Sequence, residues 1–390
     1  MNNRIINLSN EKDQQPVWNT IFNDTFASEN IQQQGQTLFI GSGTPNHSTQ
    51  PVSETLRLVA LSLNKKQTIW QRTMQVRGEI QFRVKDNIAY LLCNRVESTS
   101  TSLVALDAGT GQELWQYTCT GNPRIAICNG IVFLHSTELQ AVDGKTGKLL
   151  WRYDFRQQGD ILGSSLSATQ DAIFVNGYSQ KTPEREFFLR SLHLTTGKEL
   201  WNVSLGAEPW WTFSLYSATL LLSEDTVYAI KGSNQLQADK VMAFRVQDGT
   251  PLWTSQSGTY EKPLLVQNNV LLVSGLSALN ASTGSPLWRQ SIEGLRFFSA
   301  VPDGGLYGFD SAGLYFSALD STSGKRLWFS KRGRSQMTGA CLAIDQTSIY
   351  MITNDHNEIF LLERATGNEQ HLLSIEGSET AARFLFIAIG

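Results

Sequence analysis

Residues 105–115 read ALDAGTGQELW, and the same eleven-residue frame returns at 141–151 as AVDGKTGKLLW. Moved along the chain, the frame brings eight segments into register without a gap. The other six are 60–70 (ALSLNKKQTIW), 191–201 (SLHLTTGKELW), 243–253 (AFRVQDGTPLW), 278–288 (ALNASTGSPLW), 318–328 (ALDSTSGKRLW) and 361–371 (LLERATGNEQH). Seven carry glycine at the seventh place: Gly111, Gly147, Gly197, Gly249, Gly284, Gly324 and Gly367. Seven close on tryptophan: Trp70, Trp115, Trp151, Trp201, Trp253, Trp288 and Trp328. A fixed period of this kind marks one supersecondary unit used over and over.

Each frame reads as an antiparallel hairpin, with two alternating strands around a turn rich in Asp, Asn, Thr and Gly. The glycines are expected to supply the positive φ of that turn. Lys66 takes the glycine's place in the first frame, so a different turn is expected there. Alanine opens six frames, and its small side chain leaves room for the indole that closes them. The indole is expected to bury where neighbouring units meet.

Between frames lie two more strand-like stretches, such as Arg124–Cys128 and Ile131–His135, or 264–267 and 270–274, split by short Asn- and Gly-containing turns. The apolar spacing is two, not the 3.6 of helical repeats. Four strands per period fit a propeller blade. The expectation is an all-β, eight-bladed β-propeller of four-stranded antiparallel blades. Residues 1–16 form a polar N-terminal segment and residues 17–390 the propeller.

The pattern AxDxxTGxxxW, clearest at 105–115, 141–151 and 318–328, resembles the tryptophan-docking motif of the PQQ-like (quinoprotein alcohol dehydrogenase-like) propeller family, over about residues 35 to 376. That resemblance implies the fold and leaves the function open. The family includes quinoprotein dehydrogenases and also catalytically silent propellers such as the scaffold subunit of the bacterial outer-membrane barrel-assembly machine. A dehydrogenase of this family brings a catalytic Asp, Glu and Asn ligands for calcium, a stacking Trp, commonly an adjacent Cys-Cys disulfide and a much longer chain. None of these can be matched residue by residue here.

Cys93, Cys119, Cys128 and Cys341 show no CxxC or CxxCH spacing and read as buried small residues. His47, His135, His193, His356 and His371 are scattered without metal-ligand spacing. Asp303, Asp310, Asp345 and Asp355 are available carboxylates, but Asp303-Gly304 and Asp345-Gln346 read as turns. No GxSxG, P-loop or HExxH occurs. No catalytic residue, cofactor or metal is therefore assigned. The reading is a non-catalytic scaffold for a protein partner, with a PQQ- or sugar-binding propeller, dehydrogenase or sensor, as the alternative.

Long connections between second and third strands fall at 42–54, 94–102, 179–186 and 231–240, all expected on one face of the ring. Trp210 and Trp211, with Phe213 and Tyr216, are candidates for an aromatic contact surface, although such alternating residues usually belong to a core. Lys331, Arg332 and Arg334 are candidates for an acidic partner, although a basic loop is usually just solvated.

Ring closure involves both chain ends. Residues 6–22 echo the frame with Trp18 at the docking place, and the last frame ends in His371. Trp18 is therefore expected on the outer edge of blade eight. The apolar run 383–390 is expected either to replace 26–34 as the innermost strand of blade one or to build a ninth, composite blade.

With 32 basic and 35 acidic residues the net charge is −3, so no chain-wide field draws nucleic acid or an anionic membrane. Such a contact has to be a local patch. Residues 1–16 lack the layout of a signal peptide, and no apolar run approaches the roughly 18 residues of a spanning helix. A soluble, cytoplasmic protein is expected, monomeric or part of a larger complex. A periplasmic or extracellular place follows instead if a leader has been removed.

Overall fold

The computed structural model describes residues 4–9, 16–22, 31–46, 53–62, 65, 67–96, 100–119, 121, 123–180, 184–209, 219–231, 240–256, 263–273, 277–289, 296–300, 305–309, 315–331, 342–344, 347–352 and 358–374. These form antiparallel sheets, with one 3-10 turn, Arg156–Gln158, among them. Six sheets have four strands in simple chain order, spanning 124–154, 160–209, 219–256, 263–289, 296–331 and 342–374. A seven-stranded sheet runs from Ile31–Gln34 to Glu113–Thr118.

That larger sheet departs from the expected four-strand unit because one 19-residue strand, Gln67–Lys85, serves two units. Its first half pairs with Ser53–Ser62 and its second with Ile88–Arg95, with a register slip between Arg77 and Gln81. No proline or turn dipeptide interrupts these residues, and Gly78 marks the irregularity instead of a break.

The repeat hairpin has a consistent local chemistry. In the clearest frame Asp107 N donates to Gln112 O and Gly111 N to Asp107 O, both at 2.8 Å. The Asp107 carboxylate accepts from the Thr110 amide and hydroxyl, both at 2.8 Å, which is why Asp and Thr stand three apart. Asp143, Asn280 and Asp320 make the corresponding turn bonds. In the first frame Ser62 Oγ accepts from Lys65 N instead; Lys66 lies outside the described residues.

Past the turn, Ala105 stands opposite Trp115 and Leu106 opposite Glu113, so Leu114 is an extra, bulged residue. The first seven hairpins carry this slip at the equivalent rung. In the eighth, which has no Trp, it moves to between Ile359 and Phe360.

The bulge aims the indole at the turn of the following hairpin. Trp70 Nε1 donates to Ala108 O at 2.8 Å, Trp115 to Gly144 O at 3.1 Å, Trp151 to Leu194 O at 2.8 Å and Trp201 to Val246 O at 2.9 Å. Trp253 donates to Ala281 O at 2.9 Å, Trp288 to Ser321 O at 3.0 Å and Trp328 to Arg364 O at 2.9 Å. Each ring lies on the turn glycine, where an added Cβ would come within 2.4–2.7 Å of indole carbons. Glycine is thus required for its φ, between 67° and 72° at these seven turns, and also for the space the ring occupies.

Each small residue that opens a frame lies between two large ones. Phe39, Tyr90, Phe133, Phe174, Tyr228 and Tyr307, on the second strands, stand opposite Ala60, Ala105, Ala141, Ser191, Ala243 and Ala318. Their rings meet the indole across that small side chain, with centroids 5.7–6.2 Å apart. Tilted contacts at this spacing are favourable for aromatic pairs.

By contact pattern the chain divides into two units. The first contains Met1–Gln158 and the turn Leu194–Gly197; the second contains Gly159–His193 and Lys198–Ala381. Phe39, Leu58, Phe82 and Leu91 lie in one core cluster of the first unit, and Phe174, Leu189, Trp201 and Phe244 in one of the second. Inner strands are also tied by side chains: Gln81 Oε1 accepts from Ile125 N at 3.0 Å, and Ser165 Oγ from Leu220 N at 2.9 Å.

At the amino terminus the described pairing is local. Within the described residues Pro16–Phe22, which carries Trp18, pairs only with Arg4–Ser9, and the 342–374 sheet has its own fourth strand, Glu369–Ser374. A partner strand a few residues away in sequence costs little loop entropy, which favours the local hairpin. It also puts a strand inside the polar segment 1–16. Residues 383–390 lie outside the described residues.

Trp115→Ala is expected to cost about 3 kcal/mol as the truncation of a large, half-buried aromatic. Gly147→Ala should be comparably severe, because its Cβ meets the Trp115 ring. Gly130→Ala has similar φ with nothing within 4 Å and should cost only about 1–2 kcal/mol. Denaturant unfolding of the three variants checks the order. Hydrogen bonds from Thr146 and Ser323 hold the Asp143 and Asp320 carboxyls below the usual range. Their contribution is complete above the unfolded Asp value of about 3.9 and disappears as pH falls through the lower folded values. Asp143→Asn with Asp320→Asn keeps the acceptor oxygens, as Asn280 does, and should flatten the acid limb of a thermal-midpoint profile.

Candidate functional site

The best-defined surface feature that is not part of the repeat lies in the second unit, where the 160–209 sheet grows longer than its neighbours. Residues 179–186 were expected to be a loop. Instead, Ala172–Ser179 and Glu184–His193 stay paired up to Ser179 opposite Glu186. Glu184–His193 also pairs with Glu199–Pro209 up to Glu184 opposite Pro209. The 42–54 connection is likewise mostly hairpin, paired up to Asn46 opposite Ser53. Strand-forming Phe187, Phe188 and Thr44, Thr55 carry the ladders past where turn residues were sought.

The extension from Glu184 to Phe187 is offset by a bulge between Phe187 and Phe188, with Gly206 at φ 95° opposite Phe187. Lys231, the last residue of Thr226–Lys231, holds that bulge: its Nζ donates to Gly206 O at 3.2 Å and lies 4.9 Å from the Phe187 ring centroid. Lys231 is 6% exposed and Phe187 3%. Next to them Tyr178 packs on Phe187 with centroids 5.9 Å apart, and the Arg185 guanidinium lies 5.5 Å above the Tyr178 ring. Tyr178 and Arg185 are half-buried, and Glu184 and Glu186 are exposed. The result is a ledge in which the half-buried Tyr178 ring and Arg185 reach solvent on a buried base of Phe187 and Lys231. Cation–aromatic stacks of this kind are worth about 0.5–2 kcal/mol each and give a rigid contact surface.

Below the ledge, Arg190 anchors the same strand. Its Nη2 pairs with Asp160 Oδ2 at 3.0 Å, its Nε with Glu199 Oε2 at 3.1 Å, and its guanidinium lies 4.5 Å from the Phe188 ring. Arg190 and Asp160 are 5% and 3% exposed, so the charges lean on each other and not on water.

Most of the sequence candidates are not among the described residues. Trp210, Trp211, Phe213, Tyr216, Arg332 and Arg334 lie outside the described residues, as do His47, His356, Cys341, Asp303, Asp310, Asp345 and Asp355. Lys331 ends the outer strand Arg326–Lys331. His135 is buried on Ile131–His135, and His193 ends Glu184–His193. Among the described residues no group of three or more His, Cys, Asp or Glu could hold a metal. Cys93, Cys119 and Cys128 are free thiols. Burial pushes Cys93 up to about 11 and Cys119 up to about 12, so both stay protonated and weakly nucleophilic near neutrality. Sequence reasoning missed Phe187, Gly206 and Lys231. The available signals were a lone lysine closing the apolar run VYAI and a glycine off the repeat register.

Meandering sheets joined by indole-on-glycine contacts define the class as a PQQ-like β-propeller. A family model described as outer membrane protein assembly factor BamB matches residues 54–290 and 273–384, and the chain belongs to that family. Among solved structures, BamB from Moraxella catarrhalis superposes with a TM-score of 0.53 at 14% identity, covering 85% of this chain and 96% of that one. The computationally designed Ika8 protein gives 0.54 at 14% identity, with 90% and 96% covered. The dihydro-heme d1 dehydrogenase NirN gives 0.53 at 11% identity, with 94% and 77% covered. Likeness at these identities concerns the fold alone. No curated protein sequence matches the chain. Among the described residues no helix is long and apolar enough to cross a membrane.

Arg190→Met is expected to cost about 3–5 kcal/mol, because it strands the buried Asp160 carboxylate. Adding Asp160→Leu should recover most of that loss. Chemical denaturation of the single and double variants tests this.

Proposed function

We propose that this chain is an eight-bladed PQQ-like propeller acting as a non-catalytic scaffold that holds a protein partner on the face bearing the long second-to-third-strand connections. The observation that carries this reading is the Tyr178–Arg185–Phe187–Lys231 ledge, built on strands extended beyond what the blade needs. A stacked Tyr178–Arg185 pair held on the buried Phe187 and Lys231 suits a polypeptide, since Tyr and Arg are favoured at the anchoring points of protein interfaces. Membership in a family described by an assembly factor supports the same reading. It also favours a place outside the cytoplasm over the cytoplasmic one expected from residues 1–16.

The eight hairpin frames supply eight blades, with Gln67–Lys85 shared between the first two. Trp70 to Trp328 serve as docking residues and Gly111 to Gly367 as their receivers. Trp210, Trp211, Arg332 and Arg334 stay candidates for the same partner.

A photo-crosslinking residue at Arg185 should capture one partner protein, and Tyr178→Ser should abolish the adduct without lowering the thermal midpoint. A crosslinker at Leu252, on an outer strand, should give no such adduct. The proposal fails if no partner is captured at 185 and calorimetric titration shows micromolar binding of PQQ with Ca²⁺, which would promote the quinone-binding alternative.

A further inference from the structure

The seven outer strands that carry a docking indole share one surface pattern, and one of them breaks it. The residue before each docking indole is aliphatic and exposed: Ile69, Leu114, Leu150, Leu200, Leu252, Leu287 and Leu327. The residue after the indole is exposed as well, and in six strands it is polar: Gln71, Gln116, Arg152, Asn202, Thr254 and Arg289. In the seventh it is Phe329. Leu327 is 61% exposed and Phe329 55%, and they stand two positions apart on the side away from the buried Trp328 ring. Scattered single apolar residues need no explanation, but a protruding pair at a site that is otherwise polar does.

Cations surround that pair. The strand and its approach read KRLWFSK from Lys325 to Lys331, with no acidic residue. Lys325 and Arg326 are exposed, and the Arg326 guanidinium lies 5.5 Å from the Phe329 ring centroid. Among the described residues Arg326–Lys331 is the outermost strand of its sheet and pairs only with Tyr315–Asp320. The bulge at Leu327 twists this edge away from regular pairing, so the surface offers protruding side chains and not a strand for augmentation.

We propose that the edge from Lys325 to Lys331 is an insertion face for an anionic lipid surface. Leu327 and Phe329 enter the boundary between headgroups and acyl chains, while Lys325 and Arg326 rest on the anionic headgroups. This is the local patch that a chain of net charge −3 needs for such a contact. A lipid surface is favoured over a peptide because protruding apolar and cationic side chains are all it requires, whereas strand addition needs the regular edge that the bulge removes. The inference does not depend on the scaffold reading, since it uses a different strand and a different class of partner.

The test is co-sedimentation of the whole protein with vesicles of phosphatidylcholine mixed with phosphatidylglycerol, against pure phosphatidylcholine. Binding to the mixed vesicles, weakened by salt, is expected. Phe329→Gln, which restores the residue type of the other repeats, should lower the partition coefficient about tenfold. Lys325→Gln and Arg326→Gln should each lower it about fivefold. Leu252→Gln, at an equivalent exposed position on another strand, should leave it unchanged. Circular dichroism establishes that each variant is folded. Absence of binding to the anionic vesicles overturns the proposal, including the case in which an acidic protein binds this edge instead. So do equal binding to both compositions, indifference to Phe329→Gln, and an equal loss with Leu252→Gln.

Discussion

The structure depends on an indole lying flat on a glycine. A tryptophan on the outer strand of one hairpin can reach the next turn only because that turn lacks a Cβ, and its Nε1 then satisfies a turn carbonyl that the hairpin leaves over. Hydrophobic burial, a buried hydrogen bond and the left-handed turn conformation are met by one contact, so none of the partners can be exchanged independently. The bulge before the indole and the small residue opposite it serve the same contact, one by turning the ring and the other by clearing its path.

The joint also has a direction. Donors run from the first hairpin to the seventh, receivers from the second to the eighth. The first frame has Lys66 where a receiver would be, and the last has His371 where a donor would be. At the eighth hairpin Leu361 takes the place of the small residue and the bulge moves two residues along the strand, as expected where no indole has to be accommodated. What looks like decay of the repeat at its two ends is therefore the chemistry of a one-way series of contacts.

Where the chain departs from the repeat, it does so on exposed strands. The extended strands of the 160–209 sheet use a buried lysine on a bulged glycine carbonyl and stacked cations to hold positions that no neighbouring blade requires. The strand Arg326–Lys331 replaces a polar side chain by Phe329 among cations. Neither departure adds to the indole joints, and both put aromatic surface beside charge.

The sequence by itself determined the hairpins, because alternation and the turn residues Asp, Thr and Gly act within eleven positions, and it determined the strand class for the same reason. It also contained the glycine–tryptophan pairing, although it gave the glycine a reason of φ alone. Tertiary structure decided what lies across strands. This includes the second-strand aromatics that meet each indole over Ala105 or Ala243, the sharing of Gln67–Lys85 between two units, and the partner of Trp18. It also includes the ledge made by Tyr178, Arg185, Phe187 and Lys231, residues up to 53 positions apart. Local conformational preference is written into neighbouring residues, whereas contact between distant strands depends on register, and register is set only when the whole sheet pairs.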